Sequence, residues 1–183
     1  MRVSREKAAE NRERILSEAA RLFRERGLSG VGVDALTEAA GLTHGSLYSQ
    51  FGSKERLAAE ALTHALAGSA AKTGSSRSLA GYVARYLSAD HRDAPGGGCV
   101  LAALGCEMPR QSAAVRHSFT QGLRHMMSRL AALFPAGPEH QREDDALAVA
   151  AALVGALVLA RAVDDLDLSD RILAASRARL SQN

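Results

Sequence analysis

The stretch from Val33 to Leu57 constrains this chain most. Ala35, Leu36, Ala39 and Ala40 recur at helical spacing, so residues 33–40 read as a short helix with one buried stripe. Gly41 is a natural stop, because a left-handed residue closes a helix there without a Cβ penalty. Leu42 fills the corner, and Thr43 is a good N-cap for a second short helix. Leu47 and Phe51 are one turn apart and define its inward face. Two short helices around a tight turn are expected.

The inward pair leaves Thr43, His44, Gly45, Ser46, Tyr48, Ser49 and Gln50 wholly or partly outward. Gly45 costs about 1 kcal/mol relative to Ala inside a helix. That cost makes sense where the backbone must come close to a DNA edge or phosphate. In a helix-turn-helix the second helix enters the major groove with its N-terminal residues nearest the bases. Thr43, His44, Gly45 and Ser46 occupy those places. Tyr48 and Gln50 carry polar tips suited to phosphates, which position without specifying sequence. Ser53 starts a further helix whose free N–H groups, with Lys54, offer a second anion site.

Residues 12–27, followed by Val33-Asp-Ala-Leu and the run Gly41 to Lys54, resemble the DNA-binding domain of the tetracycline-repressor (TetR) family. The resemblance covers about the first third of the chain. It implies an all-helical homodimer that represses transcription and leaves DNA when a small molecule binds the C-terminal domain. The family often carries Thr or Ser where Val31-Gly32 stand, so Gly32 must cap the first short helix here, without a hydroxyl contact.

The chain has 183 residues, 46% of them apolar, enough for one compact unit or two small ones. Aromatic residues are only 4% and Trp is absent, so the core is built of Ala, Leu and Val. A net charge of +3 permits DNA binding without demonstrating it. Arg2, Arg5 and Lys7 precede the first helical stripe and read as either a groove-reaching arm or a frayed terminus. The charged N-terminus lacks the apolar run of an export signal. The longest apolar segment, residues 146–160, is shorter than the roughly 20 residues of a membrane span. The expectation is a cytoplasmic protein with free thiols and no membrane contact.

No strand pattern is visible. The fold expected is all-α with about nine helices: an N-terminal three-helix helix-turn-helix domain over residues 1–52, and a helical ligand-binding and dimerisation domain over residues 53–183. Helices are expected near 7–26, 33–40, 44–51, 53–68, 79–89, 99–108, 111–134, 139–163 and 168–180, with loops over 70–78 and 90–98. The helix near 144–163 is apolar all round, which implies burial on every side. In a chain this small, one side is expected to meet a second subunit. A two-fold dimer would present its recognition helices to a palindromic operator in double-stranded DNA.

Cys99 and Cys106 are seven apart, about 10.5 Å along a helix axis, too far for an internal disulfide. His91, Asp93, Cys99 and Cys106 lack metal-ligand spacing. Neither metal nor cofactor is expected. Cys99 follows Gly96-Gly97-Gly98 at a helix start, where exposed N–H groups favour the thiolate; both cysteines read equally as small core residues. Gly98-Cys-Val-Leu-Ala-Ala-Leu-Gly-Cys-Glu107 resembles the repressors of N-ethylmaleimide reductase within the same family. That resemblance implies that Cys99 is a sensor, that the inducer is a small molecule with electrophiles among the candidates, and that Arg161 stands where a lysine partners the cysteine. Cys106 is expected to serve packing. Two other classes fit the residues less well: a thiol-dependent enzyme using Cys99 with His91, and a helical protein-interaction module without DNA binding.

Overall fold

The computed structural model describes residues 5–73 and 76–181, and every described regular element is helical. Among the described residues, ten α-helices and two 3₁₀ segments stand where about nine helices are expected. Helix α1 (Arg5–Arg26) buries Ile15, Ala19, Leu22 and Phe23 and ends at Gly27, whose φ of 76° only glycine adopts readily. Arg5 and Lys7 lie inside α1 and so form no arm; Arg2 lies outside the described residues.

Helix α2 (Val33–Ala40) has Gly32 as its N-cap without a side-chain bond, as the sequence requires. It closes at Gly41 with φ 63°; the Gly41 N–H donates to Glu38 and the Leu42 N–H to Thr37, a Schellman motif. Helix α3 (His44–Phe51) is capped by the Thr43 hydroxyl, which accepts from the Ser46 N–H at 3.2 Å. Leu47 and Phe51 are fully buried, worth about 1.5–3 kcal/mol each. Ser53 accepts from the Arg56 N–H at the start of α4 (Lys54–Thr73). Helix α4 does not stop near Gly68: Ala70, Ala71 and Lys72 are good helix formers and carry it to Thr73.

The remaining chain forms α5 (Leu79–Tyr86), α6 (Ala89–Asp93), a 3₁₀ turn (Pro95–Gly97), α7 (Val100–Leu104), a second 3₁₀ segment (Gly105–Arg110), α8 (Ala113–Ala131), α9 (Glu139–Ala162) and α10 (Leu166–Leu180). The expected loop over 90–98 is therefore mostly structured. The expected helix over 99–108 is split: Cys99 is the N-cap of α7, and the chain tightens to 3₁₀ before Pro109.

One apolar cluster joins α1–α4 to Val100, Leu104, Met108 and Val115. A second unites α5, the end of α8, α9 and α10. Phe119 packs against both. The first cluster thus packs α1 and α4 against the α7 segment, while α2 and α3 sit on α1 and α4.

Within the single chain, helix α9 buries one side and leaves another exposed. Ala146, Val149, Ala150, Leu153, Ala156, Leu157 and Ala160 face inward, while Leu147 and Leu159 are 46% and 57% exposed. Leu166 and Leu168 at the start of α10 are exposed as well, so four of the five exposed large apolar side chains among the described residues lie on these two helices. The 24-residue α9 is long and apolar enough to cross a membrane by length and composition, but its inward stripe is committed to packing against α8 and α10.

Candidate DNA-facing helix and ligand chamber

The outward face of α3 carries its own polar network. Gln50 Nε2 donates to Ser46 Oγ at 3.1 Å, and Ser49 Oγ donates to the Ser46 carbonyl at 3.0 Å. His44 Nε2 lies 2.6 Å from Asp34 Oδ1, bridging the outer edges of α3 and α2; both side chains are exposed, so the contact adds little stability. Tyr48 is 48% exposed and projects from the middle of the helix. A Cβ placed on Gly45 would meet nothing within 4 Å. The protein's interior therefore gives no reason for glycine there. Lys54 turns inward, its ammonium donating to the Leu28 carbonyl at 2.9 Å. An ammonium has two further N–H donors, so Lys54 can serve this bond and an anion together.

The second feature is a half-open cavity of about 410 Å³ lined by residues of α4–α8 and the turns between them. Tyr82 and Tyr86 form one wall, with ring centroids 6.1 Å apart and planes inclined by 16°. Leu66, Val100, Leu101 and Met126 supply much of the apolar lining. Gly122 lets α8 approach α4, because a Cβ there would collide with the Leu66 side chain. Cys99 is half-buried on the cavity wall, and Cys106 is exposed on the 3₁₀ segment, so Cys106 does not serve packing. Both thiols are free, as the spacing requires. No cluster of potential metal ligands occurs among the described residues.

His91 organises the Cys99 turn. Its Nε2 accepts the Cys99 N–H at 3.0 Å, which leaves Nδ1 to donate to the Tyr86 carbonyl at 2.6 Å. Burial, reinforced by Arg161 and Arg85 against the opposing Tyr86 bond, lowers the His91 pKa and favours this neutral form. Both ring nitrogens are committed to backbone, an arrangement unlike the imidazole–thiol pair of a thiol enzyme. Arg161 supports the same turn from α9: Nε donates to the Arg92 carbonyl at 3.0 Å and an Nη to the His91 carbonyl at 2.5 Å. Cys99 and Tyr86 both lie within its electrostatic reach, although burial is the larger influence and lowers its pKa. Gly98 must be small here, because a Cβ would stand 2.9 Å from His91 Nε2 and 3.1 Å from Arg161.

Burial, and after it the neighbouring Cys99, pushes the Tyr86 phenol well above its usual range. The Tyr86 hydroxyl therefore keeps its proton; the Cys99 thiol is the polar group beside it, a weak acceptor, and no nitrogen or oxygen accepts from it among the described residues. Of the chamber residues, Cys99 and His91 are singled out by the sequence, whereas Tyr82 and Tyr86 are not. The one available signal was the i, i+4 pair Tyr82/Tyr86, two of only three tyrosines in the chain.

Three contacts tie the Gly96–Arg110 segment and the start of α4 to α1 and the turn that leads into α2. Arg24 of α1 donates through Nε to the Gly96 carbonyl at 2.7 Å, next to the Cys99 turn. The Glu107 carboxylate accepts the N–H groups of Leu28 and Ser29 at 3.1 and 3.2 Å. Lys54 holds the Leu28 carbonyl from the other side.

Residues 15–61 match the family model for bacterial regulatory proteins of the tetR family. A 54-residue segment is 46% identical to the HTH-type transcriptional regulator LmrA of Bacillus subtilis (strain 168), covering 29% of each chain. The match thus spans less than a third of that relative's length. The whole fold is similar to reduced E. coli NemR, with a TM-score of 0.77, 21% identity, and 94% and 96% of the two chains covered. It is also similar to a TetR-family regulator from Cytophaga hutchinsonii, with a TM-score of 0.76, 23% identity, and 100% and 98% covered.

Proposed function

We propose that this chain, a TetR-family protein by its N-terminal domain and fold, is a homodimeric transcriptional repressor. It grips a palindromic operator with α3 and releases it when a small molecule fills the Tyr82–Tyr86–Cys99 chamber. The observation that carries the DNA-facing half is Gly45. It sits in the first turn of an exposed helix, at a cost of about 1 kcal/mol, with open space where a side chain would be. Close approach of a duplex supplies the reason that the protein's own packing does not. In this reading Thr43, His44, Gly45 and Ser46 meet base edges, while Tyr48, Gln50 and Lys54 meet phosphates.

The exposed apolar faces of α9 and α10 support pairing with a second copy, which places two α3 helices against the two halves of an inverted repeat. Release travels through Arg24 and Glu107, which tie the Gly96–Arg110 segment to α1 and to the turn before α2. A ligand that shifts the Gly96–Arg110 segment pulls on Arg24 and on the Leu28–Ser29 backbone, and so on the seat of α2 and α3. Such a ligand must bind the released arrangement more tightly than the DNA-bound one. Alkylation of Cys99 by an electrophile is a second route to the same displacement, favoured by the position of its half-buried thiol on the chamber wall. Arg161 serves either route by holding the His91–Cys99 turn in place.

Gly45→Ala tests the DNA-facing half. Urea denaturation is expected to show a gain of about 1 kcal/mol. Fluorescence anisotropy with operator DNA is expected to show affinity falling at least about tenfold, since a lost close contact of roughly 1.4 kcal/mol is that factor. Unchanged affinity would remove α3 from the groove.

A further inference from the structure

We infer that the His91 ring is an acid-sensitive latch on the Cys99 turn, fastening it when neutral and freeing it on taking up a second proton. Its effect on DNA rests on reading the chain as a regulator; the latch itself does not. The pattern of bonds is the first ground. A nitrogen that accepts an N–H must present a lone pair. Nε2, which accepts the Cys99 N–H at 3.0 Å, therefore carries no proton. The ring's one proton sits on Nδ1 and goes to the Tyr86 carbonyl at 2.6 Å. A second proton can enter only at Nε2. The Cys99 N–H would then face another donor, and an attraction would become a repulsion.

There is no slack to absorb that change. A Cβ on Gly98 would stand 2.9 Å from Nε2 and 3.0 Å from Cδ2, so the turn already lies against the ring edge. The Tyr86 ring meets the imidazole edge-on, with centroids 4.8 Å apart, and Arg161 holds the His91 carbonyl from α9. Nδ1 keeps its bond to Tyr86 in either form, so the Cys99 side is the one that opens. That side carries load for the rest of the chain. Cys99 is the N-cap of α7, whose Val100 and Leu104 share a core with α1 and α4. The Gly96 carbonyl of the same turn is the acceptor for Arg24 of α1.

The groups around the ring set the direction of the response. Arg85 and the phenols of Tyr82 and Tyr86 come from α5, and Arg161 comes from α9. His125 and Arg129 of α8 line the same cavity, beside the Cys99 thiol. Arg24 and Glu25 of α1 adjoin Gly96, and Arg177 of α10 reaches the Leu87 carbonyl. On α6 itself Asp90 is exposed, and Asp93 is held by Arg92. Burial, with Arg161 and Arg85 adding to it against the Tyr86 bond, makes the fastened ring resist a second proton. A freed, solvated ring takes one near the ordinary histidine value of about 6.5. Above that pH both arrangements are neutral and the fastened turn is fully favoured. As pH falls below it, the freed ring is protonated first. The fastened turn then loses ground by up to about tenfold per pH unit, until the lowered value is reached.

NMR on the full-length protein reads the latch through the His91 ring nitrogens and the Cys99 amide, followed from pH 7.5 to pH 5. At pH 7.5 Nδ1 should carry the proton and Nε2 the lone pair. On acidification the Nε2 and Cys99 amide resonances should move with one shared midpoint below about 6.5. In His91→Gln the side-chain oxygen can accept the Cys99 N–H but takes up no proton, so the Cys99 amide should hold still. Anisotropy with a duplex selected by the protein from a random pool reads the coupling. The parent should bind at least about fivefold more weakly at pH 5 than at pH 7.5, and His91→Gln less than about twofold more weakly. His44 on α3 is common to both proteins, so its contribution cancels. An Nε2 that already carries a proton at pH 7.5, a ring that stays neutral to pH 5, or a Cys99 amide that ignores the ring's protonation would overturn the latch without recourse to any variant. Equal losses of DNA affinity in the two proteins would overturn its coupling to α3. Absent DNA binding at pH 7.5 would remove the regulator, and the NMR result would still decide the latch.

Discussion

Leu159→Arg is expected to turn a dimer into a monomer and to weaken operator binding about a hundredfold or more. Leu159 is 57% exposed on α9, so an arginine there leaves the inward stripe of Ala156, Leu157 and Ala160 intact and the single chain folded. In the dimer the same position would bring two guanidinium groups into an apolar two-fold contact, unpaired and desolvated. The DNA effect follows from linkage. Joining two half-site readers makes the second contact intramolecular and raises overall affinity by about 10²–10⁴. Sedimentation equilibrium reads the first effect and anisotropy the second. A variant that remained dimeric and bound DNA like the parent would move the subunit interface away from this face.

Gly27→Ala is expected to destabilise the chain by about 2–3 kcal/mol. A left-handed residue with a Cβ costs about 1–2 kcal/mol, and Gly27 has φ 76°. The added methyl would also run into the Glu107 carboxylate, which holds the Leu28 and Ser29 N–H groups. Hydrogen bonds to charged groups are worth about 1.5–3 kcal/mol, and displacing Glu107 forfeits part of that. A double-mutant cycle with Glu107→Gln separates the contributions. In the Glu107→Gln background, where the amide fills the same space but accepts the two N–H groups more weakly, the Gly27→Ala penalty should shrink by part of the charged-bond contribution, as read by urea denaturation. An equal penalty in both backgrounds would mean that Glu107 does not clamp the α1–α2 turn. The same clamp lies on the proposed route from chamber to α3, so Glu107→Gln should also blunt release of DNA by ligand.

The helix-turn-helix was legible because its signals are local. Gly41 must be left-handed, Thr43 must cap, and Leu47 and Phe51 must share a face; each follows from residues a few positions apart, and each is found. The C-terminal half was less legible because its determinants are distant. Glu107 meets Leu28 across 79 positions, and Arg24 meets Gly96 across 72. No periodicity encodes such contacts. The glycine run at 96–98 reads as loop punctuation, yet Gly96 and Gly98 are buried because neighbouring side chains leave no room for a Cβ. Tyr82 and Tyr86 look like an ordinary helical stripe until α4, α7 and α8 close a cavity against them. All-round apolarity in α9 reads as burial with one side meeting a second subunit, and the side carrying Leu147 and Leu159 is the one the single chain leaves exposed.

The most direct measurement is selection of bound duplexes from a random DNA pool by the full-length protein, with the Gly45→Ala variant selected in parallel. Enrichment of inverted repeats is predicted, with half-site centres one helical turn, about 34–36 Å, or a whole multiple of it apart. The variant should enrich them poorly. Recovery of sequences without two-fold symmetry, or equal enrichment by both proteins, would contradict a paired α3 helix seated in the major groove.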